Sequence, residues 1–227
     1  MINGQLVTYL CGPMEDIPDG GIQWRDRTTP KLIEYFGEGI VVQDPCKMEP
    51  DKLKGFVDPN VPLAKVKEVL QGWRQGGHWD KFDPAMENII DMDFDCVEKS
   101  DFIILFLKFK DKNGKKIQMG GTISELTYAY RHRIPVYTVT YNTVSEENSW
   151  IVRMARGKTK AIEQRKIYPN FSQALEAIKE DYKTFKAKKK EAVKALEEFK
   201  ADKKAEVGTK ESVEQPKHGK EKSEKKS

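Results

Sequence analysis

The chain has 227 residues, 38% apolar and 33% charged, with a formal net charge of +4, enough for one substantial domain with its own core. Fifteen lysines against ten acidic residues between Asp181 and Ser227 put the basic excess in the tail and leave residues 1–180 at about −1, which excludes a nucleic-acid-binding surface as the reading of the whole chain. Cys11, Cys46 and Cys96 form no metal or redox spacing, no run of about eighteen apolar residues occurs, and the first residues do not read as a signal peptide, so a soluble, cytoplasmic protein is expected.

In chain order, Gln5–Cys11 (QLVTYLC) predicts a buried strand ending at Gly12-Pro13. Residues 23–36 have helical spacing, with Trp24, Leu32, Ile33 and Phe36 apolar, and 39–42 form a second short strand stopped by Asp44-Pro45. Residues 46–83, rich in Lys, Gly, Pro and Asp, predict an insertion near the ligand edge with one helical piece, 63–73. A helix follows over 84–99, with Met86, Ile89, Ile90, Phe94 and Val97 marking one face. The run DFIILFLKF, 101–109, is continuously apolar from Phe102 to Leu107, as in a parallel strand covered on both faces. Then come a loop over 110–121, a helix over 123–133, a strand over 135–139, a short helix within 147–156 and a short edge strand over 166–168. Residues 171–205 predict a long helix whose apolar stripe (Phe185, Val193, Leu196, Phe199) is thin, and 207–227 have the composition of a disordered segment. Residues 1–180 read as the folded domain and 181–227 as a tail, either a solvated extension or a weak electrostatic contact for nucleic acid or a partner.

Alternating strands and helices predict an α/β fold with a doubly wound parallel sheet, flavodoxin- or Rossmann-like. In such sheets ligands bind beyond the carboxyl ends of the strands, where the strand order reverses. That rule selects the loops after the strands: Gly12, Pro13 and Met14; Asp44 onward; the stretch holding Gln118, Gly120 and Gly121; and the segment with Asn148 and Trp150.

Three residues stand out there. Glu125 follows the best core strand and two glycines that permit close backbone approach, at a helix start that favours negative charge. Thr122-Ile123-Ser124-Glu125 also fits a capping box, in which Glu125 only completes the helix end. Asp93 shares a helix face with Ile89, Ile90 and Val97, and an inward aspartate needs a partner; Asp91 and Asp95 read as solvated. Tyr9, near the end of the first strand, is either core filler or a hydroxyl that orients a carboxylate. Trp24 and Arg25 open the first helix, where Arg25 is a candidate phosphate contact beside the default of a surface arginine, and Asp44 is a candidate for approaching a base. His78 and His132 have no partner at metal spacing.

Tyr9-Leu10-Cys11-Gly12-Pro13-Met14, then Asp93 eight residues before Asp101, then Gly121-Thr122-Ile123-Ser124-Glu125-Leu126 before Pro135-Val136, resembles the nucleoside 2-deoxyribosyltransferase family. The similarity is closest to its virus-encoded branch, where Trp24-Arg25, the Asp44-Pro45 pair and Trp150 recur, which would put the protein in a host cytoplasm. It covers about residues 5–170. The resemblance implies an enzyme without metal or organic cofactor that exchanges the base of a 2′-deoxynucleoside, with Glu125 as nucleophile, Tyr9 holding its carboxylate, and Asp93 helping to protonate the leaving base. It also implies a homo-oligomer whose partners are small molecules, a nucleoside or nucleotide and a free base. One departure is Met119, where well-known bacterial members carry an aspartate six residues before the nucleophile; Gln118, Asn148 or a residue of the insertion is the substitute. Two other readings fit the same residues: an N-glycosidase that hydrolyses nucleoside 5′-monophosphates or a related nucleotide, and a non-catalytic nucleotide-binding module.

Overall fold

The computed structural model describes residues 5–14, 17, 19–58, 60–111, 113–141, 148–157 and 166–183, together with 187, 191 and 194. The chain divides into Met1–Lys179 and Glu180–Ser227. In the second unit the described residues are helical, and the predicted disordered stretch 207–227 lies outside the described residues.

In the first unit five parallel strands form one sheet in the order β2-β1-β3-β4-β5, a flavodoxin-like α/β fold. They are β1 (Leu6–Cys11), β2 (Ile40–Gln43), β3 (Phe102–Leu107), β4 (Val136–Thr140) and β5 (Ile167–Tyr168). All six residues of β1 and of β3 are buried, which is why β3 reads as a continuous apolar run and β1 as a buried strand. The chain builds outward from β1 to β2, returns to place β3 on the other side of β1, and then proceeds to β4 and β5. The order therefore reverses between β1 and β3.

The period of two in the strands separates two layers. Tyr9, Cys11, Ile103, Leu105 and Leu107 share one core with Met92, Cys96, Val97, Leu126, Ala129 and Met154, contributed by α4 (Trp79–Lys99), α5 (Gly120–Arg131) and α6 (Ser149–Ala155). Phe106 packs away from that layer, against Trp24 of α1 (Ile22–Phe36) and Phe171, the first residue of a helix, α7, over 171–183. Ala174, Leu175 and Ile178 of α7 are buried.

The predicted insertion is more regular than its composition suggests. It holds α2 (Pro45–Lys52), α3 (Leu63–Gly76) and the first turn of α4. Leu53, Val66 and Leu70 close a small second core with Ala85 and Ile89 of α4. The Asp44-Pro45 pair that ends β2 also starts α2: the Asp44 carboxylate accepts from the Cys46 N–H at 3.0 Å, and proline stands where no donor is needed. Two helix faces also differ from expectation. Ile33 of α1 and Ile90 of α4 are exposed, while Arg25 and Thr28 take buried places on α1 and Met92 and Cys96 on α4. Among the described residues no helix is long and apolar enough to cross a membrane.

Candidate active site

The carboxyl ends of β1 and β3, with α4 and α5 above them, bring three predicted residues into direct contact. The Tyr9 hydroxyl lies 2.8 Å from Asp93 Oδ1 and 2.8 Å from Glu125 Oε1. Tyr9 is fully buried, Glu125 is 7% exposed and Asp93 is half-buried. Glu125 does not complete a capping box. Its helix begins at Gly120 with Met119 as the cap residue, so Thr122 is already inside the first turn and Glu125 is further along. Helical side chains lean toward the N-terminus, which carries the Glu125 carboxyl back over the strand ends. There its second oxygen, Oε2, accepts from the Cys11 thiol at 2.8 Å.

A phenol has one proton, so Tyr9 donates to only one of the two carboxyls. The other contact needs a protonated carboxyl that donates to the phenol oxygen. Asp93 is suited to that part: burial above all, and then the charge of Glu125, push its pKa up to about 8. The Tyr9 phenol and the Cys11 thiol are likewise held well above their ordinary values, by burial first and by Glu125 second, so both remain donors. Asp93 also hydrogen-bonds Glu125 directly, so Tyr9, Asp93 and Glu125 form one proton-sharing cluster, with the Cys11 thiol donating to the far Glu125 oxygen.

A residue not singled out in the sequence acts on this cluster through its charge. Glu49 of α2 is buried, and burial, against the opposing pull of Lys67 and Arg25, raises its pKa to about 7. Its charge acts on Asp93, and the charge of Glu125 acts on it. The available signal was the Asp-Pro helix start, which places residue 49 one turn into a helix beside the strand ends. Gln43, paired in register with Tyr9 on β2, also escaped notice; its Oε1 is buried without a hydrogen-bond partner among the described residues.

The loop after β1 is held from beneath. Arg25, the candidate phosphate contact, is buried instead of facing solvent. Its Nε donates to the Leu10 carbonyl at 3.2 Å, Nη1 to Gly21 at 2.9 Å and Nη2 to Gly12 at 3.0 Å, while Asp44 Oδ1 lies 3.6 Å from Nε. Asp44 is therefore engaged as a helix cap and a buried counter-ion, and burial outweighs Arg25 in raising its pKa. A Cβ on Gly12 would come within 2.8 Å of Trp24 Cζ2 and 3.2 Å of the Phe106 carbonyl, so only glycine fits that turn. Pro13 is buried and Met14 half-buried beside it.

The remaining candidates are spread around this centre. Gly120 and Gly121 form the first turn of α5, exposed, with open space where a Cβ would stand; Gln118 is exposed just before them. Asn148 caps α6, its Oδ1 accepting from Trp150 N–H at 2.9 Å, and Trp150 is 79% exposed. Asp91 and Asp95 are exposed, Asp95 paired with Lys99. His132 stacks on Tyr128 at the end of α5, and His78 precedes α4. Among the described residues no group of three or more His, Cys, Asp or Glu side chains is arranged to hold a metal ion.

Set against models of known protein families, the chain matches none, and no curated protein matches it.

Proposed function

We propose that this protein is an N-deoxyribosyltransferase, acting on 2′-deoxynucleosides through a covalent deoxyribosyl ester of Glu125. The observation that carries this reading is the pair of carboxyls on one phenol. With Asp93 Oδ1 and Glu125 Oε1 each 2.8 Å from the Tyr9 oxygen, the two are at most twice that distance apart. That is the short separation of carboxyl pairs that work by double displacement, well inside the roughly 6.5–9.5 Å of pairs that place a water between them.

In the first step a Glu125 oxygen attacks the anomeric carbon, the bond to the base nitrogen breaks, and the proton of Asp93 goes to the departing base. Tyr9 and Cys11 hold the attacking carboxylate in one orientation. In the second step the nitrogen of an incoming base attacks the same carbon, the ester bond breaks, Glu125 returns as carboxylate and Asp93 regains a proton. Two inversions give retention. The transition state resembles an oxocarbenium ion, which a 2′-deoxy sugar forms more readily because it lacks the electron-withdrawing hydroxyl.

Incubating the protein with deoxyinosine or thymidine and free adenine, with products resolved by chromatography, tests the reading. Deoxyadenosine is expected with the wild type and not with Glu125→Ala. Release of free base without exchange would replace the transferase by a hydrolase, for which nucleoside 5′-monophosphates are the next substrates. No turnover of either class would overturn the catalytic reading.

A further inference from the structure

Beyond the same strand ends, on the other side of the sheet from Glu125, lies a cavity of about 300 Å³. Its volume is at the lower end of the roughly 300–1,000 Å³ span of small-molecule sites. Its walls are aromatic: Trp24 and Phe171 stack at 5.7 Å, Phe106 leans on both, and Tyr141, 65% exposed, meets Phe106 edge-on. Two cations, Arg27 and Lys108, line it, and neither has an ion-pair or hydrogen-bond partner among the described residues. The one carboxylate among its described lining residues, Asp19, is already used, accepting from the Gly21 and Gln23 N–H groups at the start of α1.

Aromatic walls suit a planar ring system, and a base stacks on such side chains whatever its edge pattern. Cations that have no partner among the described residues, at the same cavity, suit a phosphate. The position is also the one expected of a nucleotide in this fold, at the point where strand order reverses between β1 and β3. Phe106 packs on the cavity side with Trp24 and Phe171, whereas its neighbour Leu107 belongs to the core beneath the carboxyl cluster and also reaches the cavity wall.

We propose that this cavity is a second ligand site, separate from the carboxyl cluster, and that it takes a nucleoside 5′-monophosphate, the base against Trp24, Phe171 and Tyr141 and the phosphate between Arg27 and Lys108. It does not depend on the chemistry assigned to Glu125, since no residue of the cluster lines it.

The test is titration calorimetry of the full chain with dAMP and with deoxyadenosine, in the wild type, in Glu125→Gln and in Arg27→Ala/Lys108→Ala. Arg27 is exposed and Lys108 half-buried, and neither belongs to the buried core. Saturable dAMP binding is expected in the wild type and in Glu125→Gln, weakened at least 10-fold in the double variant, whereas any deoxyadenosine binding is expected to be unchanged in the double variant. Photolabelling with an azido derivative of dAMP is expected to mark peptides containing Trp24, Tyr141 or Phe171. Absence of saturable binding, binding indifferent to the two cations, or a label confined to the peptide with Glu125 would each overturn the proposal; the last would assign the nucleotide to the carboxyl cluster.

Discussion

At the scale of single residues, the account rests on who holds the protons. Asp93 has its pKa raised to about 8, by burial first and Glu125 second, so it is a loaded acid below that pH and an empty one above it. Activity is expected to fall as pH rises past about 8. Asp93→Asn keeps an N–H donor for the Tyr9 oxygen but has no proton to give, so it should lose that alkaline limb along with roughly 10²–10⁴ in rate. A pH–rate profile of both proteins checks this, and an unchanged limb in the variant would assign the titration elsewhere. Tyr9→Phe preserves the packing and removes one hydrogen bond to a charged oxygen, worth about 1.5–3 kcal/mol, so about a 10–100-fold loss of kcat with little change in KM is expected from steady-state kinetics. Glu49 is where residue-level reading fell short. A glutamate in KMEPDK resembles any solvated acid until α2 is built, and only the fold turns it into a buried carboxyl acting on Asp93.

At the scale of elements, the turn from β1 into α1 is the part most sensitive to substitution. Arg25 ties three backbone carbonyls together and balances buried Asp44. Arg25→Ala would leave Asp44 with exposed Lys47, 3.7 Å away, as its remaining counter-ion; breaking a buried pair costs up to about 3–5 kcal/mol, which denaturant unfolding would register as a lowered midpoint. The strands were legible in the sequence because β3 is apolar along its whole length and β1 is a β-rich run broken only by Thr8, a pattern that suits a sheet covered on both faces. Helices were legible where Gly and Pro did not intervene. Within 46–83 the helical piece 63–73 was legible and is α3, whereas α2 was not, because Pro45 and Pro50 mask its helical periodicity and it packs on α4, distant in sequence. Arg25 misled for a similar reason: nothing local distinguishes a surface arginine from one that folds back under the preceding loop. Thr122 and Glu125 have the spacing of a capping box, but the helix starts two residues before Thr122, and that shift separates a structural glutamate from one aimed at the crevice.

At the scale of the whole molecule, a site with several buried carboxyls leaves its mark on stability. Asp93 and Glu49 have folded pKa values raised to about 8 and about 7, whereas the unfolded chain releases those protons near pH 4. Between those limits the folded state binds more protons, so stability falls as pH rises from about 4 to about 8. Thermal melts across that window should show the decline in the wild type and a flatter profile in Asp93→Asn/Glu49→Gln; equal slopes would mean that neither group is held protonated by the fold. Such a cluster of perturbed buried carboxyls supports the proposed catalytic reading. The central claim is that Glu125 forms a bond to the sugar. Its most direct test is mass analysis of the chain quenched in acid within seconds of mixing with a 2′-deoxynucleoside, no acceptor base present, followed by digestion. The peptide that contains Glu125 is expected to carry one deoxyribosyl group, lost when adenine is added and absent in Glu125→Gln. Product formation with no adduct, or an adduct on a different residue, would contradict it.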